Sequence, residues 1–135
     1  PDQTFKVKVS TDTRLHVGET LEFDVTSEKS GKLWLVHVGP EDEITLLFPN
    51  DIDSDNEIES GETIHVPAEG EKWFVEAAEP AGKNIVATIV TTGNTSINDV
   101  VDAIEEKNEA KALHLISNAA AWGINKQVIE VLSND

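Results

Sequence analysis

What most constrains this chain is a hydrophobic period of two. Phe5, Val7 and Val9 alternate with Lys6 and Lys8, and Leu21, Phe23 and Val25 alternate with Glu22 and Asp24. Successive side chains of a strand point to opposite faces, so this pattern buries one face and leaves the other in water. Leu33–Val38 is apolar at nearly every position, which suits a central strand covered on both faces. Ile44–Phe48 follows after Gly39-Pro40-Glu41-Asp42, a spacer short enough for a hairpin. Thr63–Val66, Lys72–Ala77 and Asn84–Thr91 supply three more strands, punctuated by Gly61, Pro67, Gly70, Pro80 and Gly82. Short strands with such turns predict an antiparallel sandwich or barrel.

The pattern changes after Thr92. Ser96 followed by Asp99 resembles a helix cap, and Ile97, Val100, Val101 and Ile104 fall on one helical face. A second helix is expected over about 109–121, with Leu113, Ile116 and Ala120 on one stripe and Gly123 as its stop. Gln127–Leu132 reads as a closing strand, with a third short helix as the alternative. The expectation is one domain over residues 1–135. It is a sandwich of about eight or nine strands with a two-helix insertion at about 96–122, before the last strand.

A length of 135 residues is enough for one buried core without disulfides or a structural metal. The net charge of -16 narrows the partners: such a field repels phosphate backbones and anionic membrane surfaces, and favours cations or basic proteins. There is no cysteine, which removes thiol nucleophiles and zinc–thiolate sites but decides no compartment. No stretch approaches the about 20 apolar residues of a membrane span. The start at Pro1-Asp2 reads as that of an excised or mature form.

One ordered set of motifs is more specific. Leu33-Trp34-Leu35-Val36 leads to Leu46-Leu47-Phe48-Pro49-Asn50, then Asp55-Asn56, Gly61-Glu62-Thr63 and Val66-Pro67, and finally Pro80-Ala81-Gly82 before Val86-Ala87-Thr88-Ile89. Val17-Gly18-Glu19 fits the same series. This order resembles a bacterial domain of unknown function, number 4384, over roughly Phe5 to Thr92. The resemblance implies an immunoglobulin-like β-sandwich and no catalytic motif. It also implies an accessory role beside kinase, caspase-like peptidase, lipoprotein or secretion-associated segments, hence a periplasmic or cell-envelope setting. On physical grounds Pro49 ends its strand, Asn50 caps the next turn, and Leu46 and Phe48 share a face opposite Leu47.

The most suggestive chemistry lies directly after that box. Read from Asp51, side-chain oxygens fall at the spacing of a calcium loop: Asp51, Asp53, Asp55, Glu59 and Glu62, with Ile58 at the apolar position. Asn56 stands where such loops want glycine, and the flanks read as strands rather than helices, so the competing reading is a solvated hairpin loop with Ile58 tucked inward. His16, His37, His65 and His114 are scattered, although His37 and His65 could meet across a sheet. Nothing resembles a nucleophile elbow or a phosphate loop. Trp34 is expected in the core. Trp73 and Trp122 are the candidates for partner contact, Trp73 because it alternates with Phe74 and Trp122 because it would anchor the helical insertion. The expected function is therefore a non-catalytic protein-interaction or sensory module without a cofactor, its insertion carrying partner specificity. The alternatives are a calcium-binding structural domain using the 51–62 loop, and a carbohydrate-binding module or enzyme with an unrecognised cleft.

Overall fold

A computed structural model describes residues 5–93 and 121–134. They form a mainly β structure of eleven strands, with no helix among the described residues. In chain order these are β1 (Val7–Ser10), β2 (Arg14–His16), β3 (Thr20–Leu21), β4 (Phe23–Ser27), β5 (Gly31–Val38), β6 (Ile44–Phe48), β7 (Glu57–Ile58), β8 (Thr63–Val66), β9 (Val75–Glu76), β10 (Gly82–Thr91) and β11 (Trp122–Leu132). The large sheet has the order β2-β11-β10-β5-β6, with β7 also paired to β5; β1-β4-β8 form a small sheet, and β3-β9 a two-stranded ribbon. Every pairing is antiparallel except β2 on β11.

The small sheet lays Phe23, Val25 and Val66 onto Leu33, Leu35 and Val90 of the large sheet, and these belong to one core. Burying each such side chain contributes roughly 1.5–3 kcal/mol. On its other face the large sheet carries a second cluster, Trp34 and Ile89, only 1% and 3% exposed. Val36, Leu46, Trp122 and Ile124 pack against that pair. Trp34 Nε1 donates to Thr91 Oγ1 at 2.9 Å, so the indole is buried with its polar atom satisfied. The continuous apolar run of β5 thus has its cause in packing on both faces.

Several local expectations change. The helical insertion lies outside the described residues apart from its end, where Trp122 opens β11 instead of closing a helix. Gly123 is buried in that strand, and a Cβ there would meet the Phe5 carbonyl oxygen at 2.6 Å; its smallness admits β1 rather than stopping a helix. Leu46 and Phe48 do not share a face. Leu35 pairs with Phe48 and Val36 with Leu46, so the register shifts at Leu47. A bulge resets the alternation. Leu47 and Phe48 therefore both serve the inner core, while Leu46 serves the outer cluster.

Candidate functional site

The acidic loop is an excursion from one strand edge. β6 pairs with the second half of β5 and β7 with its first residues, so the chain leaves that edge after Phe48 and returns at Asn56. Asn56 makes the return. Its carbonyl accepts from Leu33 N–H at 2.8 Å, and its Nδ2 donates to the Leu33 carbonyl at 2.9 Å. An amide side chain supplies the donor that the ladder lacks there, which explains an asparagine only 5% exposed. The departure is capped by Asn50, whose Oδ1 accepts from Ile52 N–H and Asp53 N–H at 3.0 and 2.9 Å, while its Nδ2 donates to the Leu47 carbonyl.

The carboxylates of this loop are not gathered. Asp53 Oδ2 accepts from Trp73 Nε1 at 3.1 Å, Asp55 Oδ1 from Glu57 N–H at 3.2 Å, and Glu59 Oε2 from Ser30 Oγ at 3.4 Å. Asp51 and Glu62 are exposed, and Ile58 is buried in the core. Among the described residues no group of three His, Asp or Glu side chains is placed to hold a metal ion. The spacing read from Asp51 matches a calcium loop in sequence; in space Asp53, Asp55 and Glu59 accept from separate partners, Trp73, Glu57 and Ser30.

Trp73 is one of those ties. Its ring stacks on Phe48 at 5.8 Å between centroids and 10° between planes, and its Nε1 is held by Asp53. The expected strand over Lys72–Ala77 is shortened to Val75–Glu76, and Phe74 lies before it, 63% exposed, beside the anchored Trp73. Ile52, the neighbour of Asp53, is 61% exposed. Two exposed large apolar residues are thus the chain neighbours of one hydrogen-bonded pair. Trp122, the other expected contact residue, is half-buried in the outer cluster. Phe74 and Ile52 had no signal of their own: alternation says that Trp73 and Phe74 part, and only the Phe48 stack decides which goes inward.

Beside this arm a cleft of about 140 Å³ opens between the large sheet and the β3-β9 ribbon. Its floor is apolar, with Leu21, Val75, Val86 and Ile129 among the lining residues. Glu43, Glu76 and Glu79 also line it, and no lysine or arginine does. One polar pair closes the inner face of the sheet there: His37 Nε2 lies 2.7 Å from Asn84 Oδ1. Asn84 Nδ2 donates to the Gly82 carbonyl, which orients the amide and makes His37 Nε2 the donor.

The histidines do not converge. His37 belongs to the large sheet and His65 to the small one, and each has its own partners. His65 sits between two carboxylates, Nδ1 at 2.7 Å from Asp24 Oδ1 and Nε2 at 3.0 Å from Glu22 Oε1. Its pKa is raised, chiefly by the Asp24 hydrogen bond and then by that of Glu22. Glu19 is held below the ordinary carboxylate range, first by the His16 backbone N–H. His114 lies outside the described residues.

These features define a mainly β domain of largely antiparallel sheets around a shared core, with an apolar cleft that three glutamates also line. The chain belongs to the family described as Domain of unknown function (DUF4384), whose model matches residues 14–94, from β2 through β10. No curated protein and no solved structure matches it. No helix among the described residues is long and apolar enough to cross a membrane.

Proposed function

We propose that this domain is a non-catalytic interaction or sensory module that captures a protein partner within a larger bacterial envelope, secretion or signalling assembly. Its fold is read as an immunoglobulin-like sandwich, supported by two mainly antiparallel sheets sharing one core. The observation that carries the function is Phe74. It is an aromatic side chain exposed to water beside the anchored Trp73, whose partner Asp53 follows exposed Ile52 in the chain. Exposed aromatics on a fixed backbone provide large contact area with only two side-chain torsions to order, as interface anchors do. The net charge of -16 favours a basic partner and a steered encounter. The test is cross-linking capture from the native host with a photoreactive residue at exposed position 72, compared with the same photoreactive chain also carrying Phe74→Ser and Ile52→Ser. Capture of one defined protein, lost in the double variant, is the expected result. Capture that persists undiminished would remove this reading.

A further inference from the structure

We infer that the cleft between the large sheet and the β3-β9 ribbon seats a lysine side chain from an exposed basic segment of the partner, an inference that rests on the protein-capture reading above. The site offers two environments in sequence. Val75, Val86 and Ile129 line an apolar interior, and a cavity of about 140 Å³ exceeds the room of one water, whose share of liquid volume is about 30 Å³. Among the lining residues Glu76 and Glu79 are exposed, so they stand at the mouth. Glu43, also in the lining, is partly buried, and its Oε2 accepts from Glu41 N–H at 3.1 Å.

A lysine matches both environments at once: its methylene stem packs on apolar surface while its ammonium stays at the wet end. A carboxylate or phosphate would meet three like charges and no lining cation. A purely apolar side chain would fill the floor and leave the acidic mouth unanswered. The His37–Asn84 pair is hydrogen-bonded internally, so the floor's polar groups have partners without a ligand.

The experiment titrates the full chain, labelled with ¹⁵N, with two blocked pentapeptides, Gly-Ser-Lys-Ser-Gly and its norleucine counterpart, which keeps the stem and removes the charge. The lysine peptide is expected to shift the amides of Val75, Ala77 and Val86 and to bind about threefold more tightly than the norleucine peptide, the size of a partly screened ion pair. In a Glu76→Gln/Glu79→Gln chain that difference should vanish while both peptides still bind. Equal or tighter binding of the norleucine peptide overturns the inference, as do shifts scattered over the surface carboxylates and absent from the cleft. Because capture through Phe74 is measured separately, a cleft that ignores lysine would fail alone; loss of both would fail the functional reading too.

Discussion

The loop from Pro49 to Asn56 and the arm from Trp73 to Pro80 are tied together through Asp53 and Trp73 yet use their residues in opposite ways. The loop is rich in carboxylates and conspicuous in the sequence, and most of its polar groups are committed to its own geometry: a cap at Asn50, a tie at Asp53, a ladder repair at Asn56. The arm has no sequence motif beyond one Pro-x-Gly at its end, and it presents Phe74 and the acidic mouth of the cleft to solvent. Chemical richness in a sequence therefore does not locate a surface that remains available. Which groups are already satisfied does.

The comparison breaks most visibly at its shared anchor. Phe48→Ala should destabilise the fold by about 3–5 kcal/mol in denaturant unfolding, because it opens the core and removes the ring on which Trp73 stacks. Asn56→Ala comes next, at about 2 kcal/mol, since the Leu33 carbonyl loses its donor in a buried place. A surface-like effect for Asn56 would mean that the loop is not built as argued. Asp53→Ala should cost about 1 kcal/mol and change Trp73 fluorescence, whereas Asp53→Asn, which keeps an acceptor, should retain most of both. Phe74→Ser should move stability by no more than about 0.5 kcal/mol, as exposed positions do, and act on partner capture alone.

His65 gives the smallest and most distinctive signal, far from both regions in pairing. Its pKa is raised in the fold above the ordinary 6.5, so its contribution is fully present below that value and fades as pH rises through the folded one. His65→Gln should flatten the stability profile just above pH 6.5 and leave the alkaline limb unchanged. An unaltered slope there would show that the Asp24 and Glu22 contacts do not hold in solution.

Much of the architecture was legible, for physical reasons that differ by element. β6, β8 and β10 carry enough alternation or apolar length to declare themselves. β2 and β7 do not: three and two residues are too short for any period, and their pairing comes from neighbours already in place. The bulge at Leu47 was invisible because alternation assumes an unbroken register, and Gly123 was misread because a glycine does not announce whether it ends a helix or admits a crossing strand. At the site, the acidic spacing was legible and its spatial dispersal was not. The cleft arises from β3, β9 and the large sheet meeting, which no local pattern encodes.

The pairing of β10 with β11 has a consequence for how this domain tolerates change. Thr91 is the Cα partner of Trp122, and Thr92 N–H donates to the Ala121 carbonyl at 2.9 Å, so the chain departs and returns at the same place. For a flexible foreign segment spliced between those two points, ring closure costs about 0.6 kcal/mol more for each doubling of its length. The family match ends at residue 94, at this same gate. The strand ends form a socket: a reporter or a foreign binding element inserted there would ride on the sheet without entering its register.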